Sequence, residues 1–367
     1  MNTTASILSL SHYSKITCLL GLLFISSCSN LNNNFTDSDN RKFNRYSLIG
    51  NTAYTDDPVK VTYFGTSSLL ISDRKTKILV DGFVTRPSMS ALFFGTEPDT
   101  DLIEILIKRY DLFGNLKAVI PVHSHHDHAM DASIFAEKTG ADLIGTSSTL
   151  NIADSESVKK INYREAVLNK PFRYGNFKIT LVDTNHGKIP STLLRFLLGM
   201  EKEIKTPMTY PARLWNYKES QPFSIHIERG AETMLVHAST GFKEGALDKI
   251  KADWIFLGIS KLNKLDIEQQ DLYFDQTVHA VEASRIVPIH WDDIFRSKQD
   301  CLYPAKKLVG DFNKELLALE AQVNKYERKS AIRLMRKEET IFLDNRTNPV
   351  SNKLSQSKKE SCQLIKK

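Results

Sequence analysis

Residues 119–131 read Val-Ile-Pro-Val-His-Ser-His-His-Asp-His-Ala-Met-Asp, which sets His123, His125, Asp127 and His128 in the order HxHxDH. Imidazole nitrogens and a carboxylate oxygen are the donors that borderline-soft divalent cations prefer. Spaced on alternate positions of an extended loop, these side chains fan around one point. His126 fills the variable slot of the pattern. A run of β-branched and apolar residues at 118–122 precedes the loop, and a helix-compatible run at 129–139 follows it, so the pattern predicts strand, ligand loop, helix.

HxHxDH after a core-type strand resembles the signature of the metallo-β-lactamase superfamily. That resemblance implies an α/β fold, a four-layer αββα sandwich with the ligands on loops along one edge. It also directs the search for later ligands. His186 follows the strand 177–183 and precedes Gly187, where the superfamily supplies a third histidine to a first metal. His290 closes the stretch IVPIHW and is expected to join Asp127 and His128 at a second. The implied cofactor is zinc, one or two ions: His123, His125 and His186 hold one, and Asp127, His128 and His290 the other. Asp127 is also the candidate for steering an attacking water or accepting its proton. Asp81 ends the strand KILVD, where the superfamily places an aspartate beneath the metals, although a plain turn aspartate reads equally well. The chain departs from the pattern at Ser239, where most members carry a bridging aspartate. A serine cannot bridge as an anion at neutral pH, so the second ion is expected to bind more weakly. His237 is either a stand-in for that bridge or a core histidine, and Asp292 either orients a ligand or faces solvent.

Around these residues the pattern predicts an antiparallel meander over 59–81, an amphipathic helix over 99–112, strands at 142–145 and 177–183, a hairpin over 223–237 and a buried strand at 254–257. Helices over 271–284 and 305–326 follow, and a closing hairpin is made by 330–334 and 340–343. His226 and His279 fall in a strand and a helix, where core or surface positions are the default.

With 367 residues, 41% hydrophobic and 25% charged, the composition is that of one large globular domain, placed at 56–344. The segment 1–27 reads as a lipoprotein signal peptide, because its apolar run ITCLLGLLFI is too short to span a bilayer and leads into ISSC. Cys28 is then the acylated residue, which implies a membrane-lipid partner and a bacterial cell-envelope location, the outer membrane facing the periplasm. Residues 28–55 are rich in Asn, Ser, Asp and Thr and read as a tether. The tail 345–367 holds six basic residues and one acid, a net of +5 out of the chain's formal +6, so the rest is nearly neutral and no nucleic-acid footprint exists. The tail reads as a solvated basic end or a contact for anionic lipid. Cys301 and Cys362 remain as a pair whose proximity a sequence does not show.

The resemblance implies hydrolysis by a metal-activated water. HSHHDH with PIHW looks most like the branch of sugar-phosphate lactonases and N-acyl-phosphatidylethanolamine phospholipases D, so an ester, lactone or phosphodiester is expected, ahead of a β-lactam. A scaffold that binds metal without catalysis is the alternative that Ser239 keeps open. The stretch from 187 to 222 has no sheet pattern and is long for a loop in a compact domain. Its apolar residues Leu194 and Leu197, with Trp215 and Tyr217, are candidates for a lid over a small-molecule or lipid-like amphiphilic substrate, or for a satellite packing element.

Overall fold

The computed structural model describes residues 37–47, 55–187, 203–296, 302–305, 310–326 and 330–343. Strands β1 (Val59–Gly65), β2 (Ser68–Ser72), β3 (Lys77–Val80), β4 (Leu116–Ile120), β5 (Asp142–Gly145) and β6 (Asn162–Glu165) form one sheet. Strands β7 (Phe172–Tyr174), β8 (Phe177–Asp183), β9 (Phe223–Arg229), β10 (Glu232–His237), β11 (Trp254–Gly258), β12 (Arg285–Ile289) and β13 (Ala331–Ile332) form the other, and β14 (Thr340–Leu343) returns to the first. The orders are β14-β1-β2-β3-β4-β5-β6 and β13-β12-β11-β10-β9-β8-β7. The meander β1-β2-β3 is antiparallel, and β3 through β6 run parallel.

Alternation along the strands sorts side chains into layers. Leu69 and Ile71, Ile78 and Val80, and Ala118 and Ile120 face the second sheet and join the core that also holds Leu181, Ile225, Val236 and Ile255. Leu70, Leu79 and Val119 face the other way, onto α3 (Thr100–Arg109) and α5 (Ala132–Thr139), where Ile103, Leu106, Phe135 and Ala136 cover them. The second sheet's outer face is covered by α7 (Ile267–Phe274) and α8 (Phe312–Lys325), through Tyr273, Phe274, Phe312, Leu316 and Leu319. Helix, sheet, sheet, helix is the four-layer αββα sandwich expected from the resemblance. The remaining helices are α1 (Asp37–Ser47), α2 (Ala91–Phe94), α4 (His126–Ala129) and α6 (Ser147–Leu150). Among the described residues no helix is long and apolar enough to cross a membrane.

Five expectations need correction. Residues 330–334 and 340–343 do not form a hairpin: β13 lies parallel to β12, whereas β14 lies antiparallel to β1, so the chain between them crosses from one sheet to the other. Two short apolar runs separated by a charged turn suggest mutual pairing, but each sheet had an unpaired edge to fill. The helix expected over 129–139 is interrupted at Met130 and Asp131, and Asp131 Oδ2 accepts the amides of Val84 and Thr85, both at 2.7 Å, rather than capping α5. The helix expected over 271–284 starts earlier, at the Asp266–Gln269 capping box, and that over 305–326 starts later, at the Asp311 cap. Within the expected tether, residues 37–47 form α1. Phe43 of α1 is buried against the rings of Trp291 and Phe312, with centroids 5.7 and 6.4 Å away. Cys28, Leu194, Leu197, Cys301 and Cys362 lie outside the described residues.

Candidate metal centre

The strand ends bring the six expected ligands together at one edge. His123, His125 and His186 offer ring nitrogens within 4.8 Å of one another, and so do the nitrogens and carboxylate oxygen of Asp127, His128 and His290. The first two come from the loop after β4, His186 from the end of β8 and His290 from the end of β12. The two groups share a wall, because the rings of His123 and His128 are 4.1 Å apart. In the first group, Nε2 of His123 stands 2.9 Å from Nδ1 of His125, and the His186 ring is 5.2 and 5.1 Å from theirs. In the second, Asp127 Oδ2 lies 3.2 Å from His290 Nε2 and 3.8 Å from His128 Nε2.

The electrostatics suit cation ligation. Burial, reinforced by the neighbouring imidazoles, holds His123 and His125 well below the ordinary histidine value. Burial brings His186 down to about 4. These rings are therefore neutral at pH 7, with lone pairs available. Burial opposes the charge on Asp127, but His128, His290 and His126 outweigh it and keep the carboxyl well below its usual range. In addition, Nε2 of His125 is buried without a hydrogen-bond partner. An unsatisfied buried nitrogen within a ring of lone pairs fits a divalent cation.

Asp81 is fully buried and sits directly under the second group. Its Oδ1 accepts the Val122 amide at 2.8 Å, its Oδ2 lies 2.8 Å from His128 Nδ1, and the Ser67 hydroxyl donates to the same oxygen. This contact fixes the proton of His128 on Nδ1 and turns Nε2 toward Asp127 and His290. Burial disfavours the imidazolium of His128, yet Asp81 and Asp127 raise its pKa on balance.

His237 takes no part in the centre, which corrects its candidacy as a bridge. Both its nitrogens are spent, Nδ1 at 2.7 Å from Ser224 Oγ and Nε2 at 2.8 Å from the Gly241 carbonyl. Ser239 is a brace on the His186 side: its Oγ accepts the amides of Gly187 at 2.7 Å and Gly241 at 3.3 Å, and it makes no hydrogen bond to Asp127, His128 or His290. A Cβ at Gly241 would lie 2.2 Å from the Asn185 carbonyl oxygen and 2.4 Å from that of His186, so this glycine lets the 239–241 turn lie flat against the ligand's backbone. Asp292 accepts the Thr66 amide at 2.7 Å and pairs with Arg86 at 3.0 Å, while the Thr66 carbonyl accepts the His290 amide at 2.6 Å. Gly65, at φ +108, leaves the room those side chains occupy.

Of the lid candidates within the described residues, Tyr217 is buried among Phe83, Met130, Ile152 and Met208 in a small core over α4, the packing role that was the alternative to a lid. Its ring is 6.2 Å from that of His126. Trp215 is half-buried against Phe93, itself 55% exposed, so this end of the stretch presents apolar surface. Reasoning from the sequence missed Ser67, Arg86 and Lys261. Lys261 is half-buried beside the centre, and its charge reaches both Asp127 and His186. Nothing in the sequence separates it from the chain's other lysines.

No family model matches the chain. A UPF0173 protein of Pyrococcus furiosus is 24% identical over 128 residues, which are 35% of this chain and 50% of that protein. A UPF0173 metal-dependent hydrolase of Thermus thermophilus is 31% identical over 103 residues, 28% of this chain and 38% of that one. The chain thus spans half or less of these curated relatives. Among solved structures, Igni18, a metallo hydrolase from Ignicoccus hospitalis, superposes with a TM-score of 0.45 at 18% identity, covering 78% of this chain and 98% of that one. The metallo-β-lactamase fold protein YhfI from Bacillus subtilis does so with 0.47 at 13%, covering 78% and 100%. CmlA, a diiron β-hydroxylase from Streptomyces venezuelae, scores 0.47 at 14%, covering 79% and 55%. Likenesses of this size add no weight to the strand order and core described above. The chain has homologues among UPF0173 metal-dependent hydrolases, and its own residues set two metal-competent groups side by side on one edge of an αββα sandwich.

Proposed function

We propose that the protein is a zinc-dependent hydrolase that cleaves an ester, lactone or phosphodiester with a metal-activated water. One observation carries this reading: six ligand-type side chains in two adjacent groups, with His123, His125 and His186 kept neutral by burial and His128 fixed by Asp81. When bound there, a divalent cation lowers the pKa of a water and polarises the bond under attack. The chain's own residues do the remaining work. Asp127 stays ionised at neutral pH and can accept a proton at Oδ2, His128 keeps its tautomer through Asp81, and the buried edge excludes bulk water from the histidine nitrogens. An amphiphilic substrate is the preferred class, supported by the exposed Phe93 and Phe94 beside Trp215. Acylation of Cys28 and placement on the periplasmic face of the outer membrane are part of the same proposal.

The test is metal content by mass spectrometry together with hydrolysis of bis-p-nitrophenyl phosphate, lactones and a chromogenic cephalosporin. His123→Ala and His186→Ala should each remove zinc and abolish any turnover. Metal content unchanged by both substitutions rejects the zinc assignment. Full zinc with no turnover on any substrate leaves the alternative, a metal-binding scaffold, which the serine at 239 favours.

A further inference from the structure

Strands β10, β11 and β12 are neighbours and run parallel, with His237 beside Leu257 and Gly258 beside Ile289. Their C-terminal loops therefore leave the same edge in a row: the Ser239 turn, then residues 259–261, then His290. The Ile259 amide donates to the Ile289 carbonyl at 3.1 Å and ties the middle loop to the His290 strand. Lys261 closes that loop in the left-handed region, at φ +65, a conformation that a lysine adopts only when its surroundings enforce it. The enforcing contact is a buried carboxylate: Glu315 Oε1 of α8 accepts the Lys261 amide at 2.7 Å.

The side chain is placed as unusually as the backbone. It is half-buried, on the loop that leaves the edge between the Ser239 turn and His290; Asp127 of one ligand group favours its charge, and that charge in turn disfavours the imidazolium of His186 in the other. Yet among the described residues its ammonium forms no ion pair and no hydrogen bond. Asp127 is already engaged by His290 and His128, and Glu315 spends an oxygen on the backbone. A half-buried cation with no partner among the described residues keeps only part of its hydration, and an anion supplied from outside the chain would complete its shell. The charges of the edge point the same way. Asp127 is the one acid among the six ligands, Asp81 is consumed beneath them, and position 239 carries a neutral serine, so divalent cations bound here would leave a strongly positive cleft.

We propose that Lys261 anchors an oxyanion of the substrate, a carboxylate or phosphate group carried next to the bond that is cleaved. The proposal rests on the hydrolase reading above and narrows it to anionic substrates. Glu315 acts on it as a positioning residue, by holding the loop that aims the ammonium.

Three proteins test it, each loaded with zinc and checked for metal content: the natural chain, Lys261→Asn, whose side chain tolerates the left-handed backbone, and Lys261→Arg, which keeps the charge. Calorimetric titration with inorganic phosphate reads the anchor without turnover, and a matched pair, mono-p-nitrophenyl succinate and p-nitrophenyl acetate, reads it with turnover. At equal metal content, phosphate affinity and the kcat/KM preference for the succinate should each fall about tenfold or more in Lys261→Asn and be largely retained in Lys261→Arg. If Lys261→Asn does not fold, Lys261→Met replaces it and keeps the aliphatic stem. Equal phosphate affinity in the natural and Asn proteins overturns the proposal, and so does loss of zinc from both variants, which would make Lys261 part of the scaffold. Failure to hydrolyse either ester counts against the hydrolase reading, while the phosphate titration still decides the role of Lys261.

Discussion

Asp81 shows how much of the centre depends on groups outside the six candidate ligands. Its two oxygens accept the Val122 amide at the root of the ligand loop, face His128 Nδ1 and accept the Ser67 hydroxyl. Asp81→Ala therefore frees the ring of His128, and the affinity of the second group for zinc should fall about ten- to hundredfold, measured by chelator competition, with the first group retained. Ser239 and Gly241 do the corresponding work for the first group. Ser239→Ala strips the Gly187 amide of its acceptor at a cost of about 1–2 kcal/mol. Gly241→Ala drives a methyl group into the backbone of Asn185 and His186, so it should displace His186 and lower zinc content more than Ser239→Ala does. Equal zinc in the two variants would show that the close approach at Gly241 has no part in positioning the ligand.

At the scale of elements, the centre is where three strands end, β4 and β12 in parallel pairings and β8 in antiparallel ones, and strands were the legible part of this sequence. The β-branched run before HSHHDH, the FKITLVD run before His186 and the RIVPI run before His290 announce themselves as strands by composition, and the resemblance to the metallo-β-lactamase superfamily then implied the ligands that follow them. What stayed hidden depends on partners far apart in the chain. Lys261 acquires its place from Glu315, Ser239 from Gly187, and β13 and β14 from two different sheet edges. Helix α1 is of this kind too. Its Asn-rich surroundings suggest a tether, yet Phe43 seats against Trp291, the residue after His290, and Tyr46 donates to Glu320 of α8 at 2.6 Å. Phe43→Ala should destabilise the protein by about 3 kcal/mol or more. The change should appear in chemical unfolding, and a loss under 1 kcal/mol would return α1 to the status of a tether.

For the whole molecule, buried titratable groups predict how stability responds to acid. Burial lowers His237 and His186 to about 4, and His123, His125, His126 and His226 are lowered by the same cause. Unfolded histidines titrate near 6.5, at about 1.4 kcal/mol per unit of difference, so between pH 6.5 and 4 the unfolded chain binds more protons. Stability from these groups is complete above that window and drains as pH falls through it. Burial acts in the opposite sense on Glu315, raised to about 7, and Asp131, raised to about 6, which subtract stability as pH rises toward those values. Six imidazoles outnumber two carboxyls, so the Tm of chelator-treated protein should fall from pH 6.5 to pH 4.5, and a flat profile would count against these burials. The crossing of the chain between β13 and β14 bears on how the fold is reached. Val59 pairs with Leu343, so the first sheet strand waits for the last before the edge of its sheet is closed. Such remote pairing slows folding, because the loop between the partners must be closed before any contact rewards it. During synthesis β1 emerges early and stays an open edge until the final strand arrives, a template for another copy of the same strand. The last few residues of the domain thus act as a molecular seal, and a chain cut short before β14 should be lost to aggregation even though every ligand of the metal centre has already been made.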